Sequence, residues 1–219
     1  MIPPVDLVVP VKPLHLAKSR LRGGRANGDP MHQRLALAVA MDTIRAAAGA
    51  DRVRRVVAIC SDPAAVRALR AEAVEVVADE PDAGLNPALR HGVTLLRAAD
   101  PTAVVGALQA DLPALRPAEL DAALAAFAEV AGLPGAARAF CPDRHGTGST
   151  LLVAAAGAEL DPRFGAGSAR AHAESGAVPL DGAWPTLRCD VDTEDDLAEA
   201  ARLGLGPHTT AALAADARS

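Results

Sequence analysis

Aromatic side chains are nearly absent: the 219 residues include no tyrosine, one tryptophan and three phenylalanines. Proteins that thread single-stranded nucleic acid stack successive bases on exposed rings, and so few rings argue against such a platform. Positive charge is not in surplus either. The 22 lysines and arginines face 27 acids, a net charge of −5 that carries no general nucleic-acid footprint. Any anion site must therefore be a local concentration of positive charge. Cysteine is scarce as well. Cys60, Cys141 and Cys189 are widely spaced and each lies beside an apolar run, the pattern of reduced, buried thiols rather than of a disulfide framework or a zinc site. No apolar run is long enough to span a bilayer. The opening MIPPVD has no basic stretch ahead of an apolar core, so no signal peptide is expected. These absences predict a soluble cytoplasmic protein with neither nucleic acid nor membrane as a partner. Also missing are a Walker A pattern, a G-x-G-x-x-G after a strand, and a Ser-His-Asp order.

What the chain does have is alanine, valine and leucine, in a regular alternation. The length suits one α/β domain with a large core. VDLVVPV (5–11), RVVAICSD (55–62), VEVVAD (74–79) and AVVGALQAD (103–111) read as buried strands. Residues 31–50, 63–73, 86–100 and about 117–130 read as helices, with Asn86 as the N-cap of the third and Pro87 just inside it. Continuous apolar strands separated by helices imply a parallel sheet covered on both faces. Beyond residue 135 the rhythm loosens. Segments 136–143, 149–156 and 177–192 read as strands, and 167–176 and 193–204 as helices. The expected fold class is α/β: a single Rossmann-like domain over 1–205, with a mostly parallel central sheet flanked by helices. The tail at 206–219 shows no clear packing face.

In open parallel sheets ligands bind beyond the carboxyl ends of the strands, and chemistry-bearing residues follow several strands here. After the first strand comes KPLHLAKSRLRG, which offers Lys12, Lys18, Arg20 and Arg22 and no glycine until Gly23. Lysine point charges and arginine forks suit phosphate, although a solvated loop would have the same composition. Asp111 ends an apolar strand before Leu112 and Pro113, where it would either hold Mg²⁺ or cap a turn. Asp190 and Asp192 are two apart in an extended stretch and project to one face, where they repel unless a cation or arginine lies between them. Their neighbours Glu194, Asp195 and Asp196 are accounted for by a helix start, with Thr193 and Asp196 at capping-box spacing.

Two further turns can receive anions. HGTGST (145–150) sets Thr147, Ser149 and Thr150 among glycines, as a plain hairpin would also do. FGAGS (164–168) places Gly165 and Gly167 ahead of Ser168 at a helix start, and Ser168 would serve equally as an ordinary N-cap. His172 lies one turn beyond Ser168, as a support rather than a catalyst. GLN (84–86) precedes another helix and could contact a base or ribose through the backbone of Gly84 and Leu85 and the Asn86 amide, although Asn86 would serve equally as a plain N-cap. A basic loop, two anion turns and three acids together point to phosphoryl or nucleotidyl transfer, in which charge neutralisation does most of the catalysis.

VPVKPLHLAKSRL, GLNPAL, ADLPAL, HGTGSTLL, FGAGSARAH and DVDTEDDL occur in the order seen in the guanylyltransferases of coenzyme F-420 biosynthesis. These are the 2-phospho-L-lactate and phosphoenolpyruvate guanylyltransferases, called CofC in archaea and FbiD in actinobacteria. The resemblance runs over roughly residues 5–205 and implies a fold similar to the molybdenum-cofactor guanylyltransferases. It implies that GTP reacts with a small phosphorylated acid and releases pyrophosphate. The Ala-, Arg- and Gly-rich composition resembles that of actinobacterial proteins and favours phosphoenolpyruvate over 2-phospho-L-lactate. By the same resemblance Asp111, Asp190 and Asp192 would hold Mg²⁺, and Ser149, Gly165 and Ser168, with Thr147 beside them, would hold the acid. The family's second threonine in the turn is Ser149 here, followed by Thr150, so the hydroxyl that touches the acid stays open. Lys18, with Lys12 or Arg20, would neutralise charge on the nucleotide, and Lys12, Lys18, Leu85 and Asn86 would bind it. A homodimer is compatible with this reading. The alternatives are a related nucleotidyltransferase for another nucleotide or a sugar phosphate, and a silent nucleotide-sensing module.

Overall fold

The computed structural model describes residues 4–15, 29–80 and 82–217. Its core is a seven-stranded sheet built from β1 (Val5–Pro10), β2 (Val53–Ile59), β3 (Glu75–Val77), β4 (Val104–Leu108), β5 (Arg138–Pro142), β6 (Ser149–Ala154) and β7 (Val178–Pro179). The spatial order is β3-β2-β1-β4-β6-β5-β7. Pairings of β1 with β2 and β4, of β2 with β3, and of β5 with β7 are parallel, whereas β6 runs antiparallel to both β4 and β5. The fold is the expected α/β single domain.

Buried valines and leucines make the middle strands two-faced. Leu7 and Val9 of β1 join Ile44, Leu69, Leu120, Leu124, Phe127 and Leu187 in one core. Val8 joins Leu89, Val93, Leu96, Phe140 and Leu152 in the other. The first core is roofed by α1 (Pro30–Ala48), α2 (Pro63–Ala71), α4 (Pro117–Val130) and α6 (Pro185–Arg188); the second by α3 (Leu85–Ala99) and α5 (Ser168–Glu174). Asp6 interrupts the apolar run of β1, and it is buried at 1% exposure. Arg54 answers it with two hydrogen bonds of 2.8 and 2.7 Å, and Asp100 shares the same guanidinium at 2.9 Å. A buried carboxylate is tolerated when its lone pairs are met in this way.

Three expectations change. Segment 177–192 is not one strand: β7 stops at Pro179, and Pro185 opens the short helix α6. Asn86 is not an N-cap, because α3 starts one residue earlier, at Leu85, behind Gly84. The tail does find a packing face. Pro207–Asp216 form α8, whose first N–H groups, from His208 and Thr209, donate to the two carboxylate oxygens of Asp42 on α1 at 3.0 and 2.7 Å. By contrast α7 (Glu194–Leu203) has the expected capping box, with the Asp196 N–H on Thr193 Oγ1 and the Thr193 N–H on Asp196 Oδ2. No helix among the described residues is long and apolar enough to cross a membrane. Cys60, Cys141 and Cys189 are free and buried, and burial pushes the Cys141 and Cys189 thiols up to about 11.

Candidate active site

The strand order reverses between β1 and β4, and the chain leaves both strands at the same edge of the sheet. Lys12 follows β1 and Gln109 to Asp111 follow β4. Because β6 is antiparallel, its first residue, Ser149, lies at that edge too, beside the end of β5 and Asp143. A cleft of about 530 Å³ opens there. Its walls bring together Lys12, Leu85, Asp111, Thr147, Ser149, Gly165, Ser168, Asp190 and Asp192. Lys18, Arg20 and Arg22 lie outside the described residues. A cavity of about 600 Å³ between α1 and β3 is larger, but Met41, Ile44, Ala48 and Val74 line it and none of the candidate residues does. Concentrated polar chemistry, not size, marks the functional cleft.

The acids are held by their main chain. Thr43, fully buried on α1, accepts the Leu112 N–H at 2.9 Å, and its own hydrogen is shared between the Val39 carbonyl at 2.9 Å and the Ala110 carbonyl at 3.2 Å, so its hydroxyl touches the residues on either side of Asp111. The Asp111 carbonyl in turn accepts the Val191 N–H at 3.0 Å. Cys189 and Val191 are buried against Ala114 and Ala200, while Asp190 and Asp192 line the cleft. The alternation read from sequence therefore holds, although the segment is a loop rather than a strand. Burial, followed by repulsion from Asp111, Asp143 and Asp192, lifts the Asp190 carboxyl to about 7. Neighbouring carboxylates raise a pKa in this way when no cation separates them. Among the described residues no three acid, histidine or cysteine side chains form a ready-made metal cage. The donor set is carboxylate oxygen only, which suits a hard cation that takes its remaining ligands from phosphate and water.

Sequence reasoning missed Asp143. Its buried carboxylate accepts N–H groups from His145 at 3.1 Å, Thr147 at 2.9 Å and Gly148 at 2.7 Å, folding the turn around itself. A Cβ on Gly148 would stand 2.5 Å from Asp143 Oδ2, so the close approach requires glycine. An aspartate opening a D-R-H-G-T-G run, able to bond the backbone ahead of it, was the available signal. Arg144 then ties the turn to α7 through an ion pair with Asp196.

A bulge aims Ser149. Cys141 pairs with Leu151 and Pro142 with Ser149, which leaves Thr150 as an extra residue. Strict alternation would set Ser149 on the face of Leu151 and Val153, in the first core. Instead its hydroxyl lies 2.9 Å from Nδ1 of His172, whose ring packs against Phe140 and Phe164 of the second core. Bulges re-aim side chains near functional sites. Ser149 thus faces the cleft, and Thr150 is fully buried next to Cys141.

Beside the turn around Asp143 runs the 163–168 loop, joined to it by the Ala169 N–H on the Thr147 carbonyl at 3.2 Å. Phe164 donates its N–H to Asn86 Oδ1 at 2.8 Å and receives Asn86 Nδ2 on its carbonyl at 3.0 Å. Both ends of that amide are engaged, so Asn86 braces the loop rather than reaching into the cleft. Gly165 has φ of +131°, a conformation that residues with a side chain rarely adopt. Ser168 is buried at the first position of α5, behind the N-cap Gly167, and so is not itself the cap.

The chain matches the family model described as guanylyl transferase CofC like over residues 5–214. It is 52% identical to the phosphoenolpyruvate guanylyltransferase of Salinispora arenicola over 93% of this chain and 90% of that one. With the enzyme of the same name from Geodermatophilus obscurus it shares 51% identity over 97% and 95%. Solved structures with the same fold include a 4-diphosphocytidyl-2C-methyl-D-erythritol synthase, 17% identical, with a TM-score of 0.57 over 93% of this chain and 99% of that one. Another, a manganese complex from Mycobacterium tuberculosis H37Rv, is 22% identical with a TM-score of 0.50 over 91% and 98%. Family model, relatives and fold agree: this chain belongs to the CofC-like guanylyl transferases, the nucleotidyltransferases of coenzyme F-420 biosynthesis.

Proposed function

We propose that the protein transfers GMP from GTP to phosphoenolpyruvate, releasing pyrophosphate, in the cytoplasm. The observation that carries this reading is the convergence of five separate segments on one cleft: Lys12, Asp111, the 147–149 turn, Gly165 to Ser168, and Asp190 with Asp192. The lining combines carboxylates, hydroxyls, glycine backbone and one lysine. That is the set of groups expected for joining a metal-bound nucleotide to a small anion.

Ser149, Gly165 and Ser168, with Thr147 at the rim, receive the acid's phosphate. Lys12 compensates the triphosphate, and the basic residues Lys18 and Arg20, which follow it in sequence, add to that charge. Leu85 contributes an apolar contact for the nucleoside. Asp111, Asp190 and Asp192 would hold Mg²⁺, and a neighbour of the same fold is a manganese complex. When bound, such a cation supplies charge neutralisation across the phosphates. A phosphate oxygen of the acceptor forms the new bond to the α-phosphorus as the bond to the β-phosphate oxygen breaks, and pyrophosphate carries away the electron pair. The attacking oxygen is already ionised at neutral pH, so no general base is needed. His172 is unsuited to that role, being fully buried with its imidazolium form pushed down to about 4 by burial.

The test is pyrophosphate release from GTP and Mg²⁺ with phosphoenolpyruvate, 2-phospho-L-lactate or 3-phosphoglycerate. Phosphoenolpyruvate is expected to give the highest kcat/KM, and a higher value with another acid would reassign the acceptor.

A further inference from the structure

His172 is buried behind Ser149 at this site, and nothing in the transfer reaction uses it. Its ring is fully buried, tilted against Phe140 at 5.6 Å between centroids and edge-on to Phe164 at 4.9 Å. Each ring nitrogen has one partner. Nε2 lies 3.0 Å from the backbone nitrogen of Arg163, and Nδ1 lies 2.9 Å from Ser149 Oγ.

The two partners are not equivalent. A backbone N–H can only donate, so Nε2 must present its lone pair to Arg163. Arg138, Asp161 and Arg163 are the charged groups that act on the ring: burial and the two arginines disfavour its protonation and outweigh Asp161, which favours it, so the ring is neutral at pH 7. A neutral imidazole carries one proton, and with Nε2 bare that proton is on Nδ1. The reverse tautomer would set an N–H against the Arg163 N–H. Nδ1–H therefore donates to Ser149 Oγ, and the serine's own hydrogen is turned away from the ring. Ser149 lines the cleft, so that hydrogen is left to point there.

We infer that His172 is a positioning residue that fixes the Ser149 hydroxyl as a one-way donor toward an anionic oxygen in the cleft. A free hydroxyl rotor can donate or accept, and ordering it costs entropy at the moment of binding. Here the ring has already ordered it in the direction a phosphate or carboxylate needs. This rests on the reading of the cleft as the acceptor site, and the experiment separates the two.

First, two-bond proton–nitrogen NMR of the wild-type imidazole at pH 7 reads the tautomer without any substrate. The expected result is neutral Nδ1–H; an Nε2–H tautomer or an imidazolium would overturn the inference. Second, KM for phosphoenolpyruvate and for GTP are measured for S149A, His172→Phe, their double variant and His172→Asn. Phenylalanine fills the ring's space without a donor, whereas an asparagine amide can still donate from the Nδ1 position. S149A and His172→Phe should each raise KM for the acid about tenfold, the double variant no further, and His172→Asn less than about threefold, on the scale of one hydrogen bond to a charged group. KM for GTP should not move. Additive effects of S149A and His172→Phe, or an unchanged acid KM in folded His172→Phe, would contradict the inference. If His172→Phe does not fold, the tautomer decides alone. Absence of wild-type turnover would reject the proposed function and leave the tautomer to decide this one.

Discussion

The backbone of Val191 donates a 3.0 Å hydrogen bond to the carbonyl of Asp111. That bond joins two loops that lie 80 residues apart in the sequence, and it sets Asp190 and Asp192 on the same cleft as Asp111. Four carboxylates then share a confined space, with Asp143 as the fourth.

Replacing Asp190 by asparagine keeps the shape and removes one charge. Turnover should fall at least about a hundredfold, the scale of losing one charge-stabilising group. Melting temperature should hold or rise, since the buried carboxylate is repelled by its neighbours. Wild-type rates in this variant would show the paired acids to be structural.

Gly165→Ala tests the acceptor wall. No atom stands within 4 Å of the missing Cβ, so any effect comes from forcing φ of +131° on a residue with a side chain. A loss of about 1–3 kcal/mol of local stability is expected, with a raised KM for the acid and an unchanged KM for GTP. Equal rises in both would place Gly165 outside the acid's pocket.

Acid sensitivity follows from His172. Its pKa is depressed in the fold to about 4 from an ordinary 6.5, so between those values the unfolded chain binds more protons. Stability is complete above 6.5 and is lost as pH falls through 4, by up to on the order of 3 kcal/mol. Denaturant midpoints between pH 4 and 6.5 should show a steeper slope in the wild type than in His172→Asn. Parallel slopes would contradict it.

Asp42→Ala should release α8 from α1. The carboxylate serves two N–H groups at the start of that helix, so its loss costs about 1–2 kcal/mol and should speed amide exchange in 207–216 while 53–59 stays protected. Uniform exchange across both would mean that α8 is not held through this cap.

Much of this was legible beforehand, for identifiable reasons. Strand-terminal residues such as Lys12 and Asp111 could be read because apolar runs end abruptly there, and the Thr193–Asp196 box because capping is local. The aim of Ser149 was hidden, since it depends on a bulge at Thr150 that only the pairing of β5 with β6 creates. Asn86 was misread as a cap because its partner, Phe164, is 78 residues away. The role of Asp42 is not legible in the sequence, because the N–H groups it accepts are 166 and 167 residues away. Local chemistry is written in the sequence; long-range hydrogen bonds are not.

The proposed reaction joins GTP to a phosphorylated three-carbon acid in one cleft. Steady-state pyrophosphate release with GTP, Mg²⁺ and phosphoenolpyruvate tests it most directly. Acid-dependent release is expected from the wild type, with a loss of about a hundredfold or more in Asp190→Asn. Release that does not depend on the acid, or no release with any of the three acids, would contradict it.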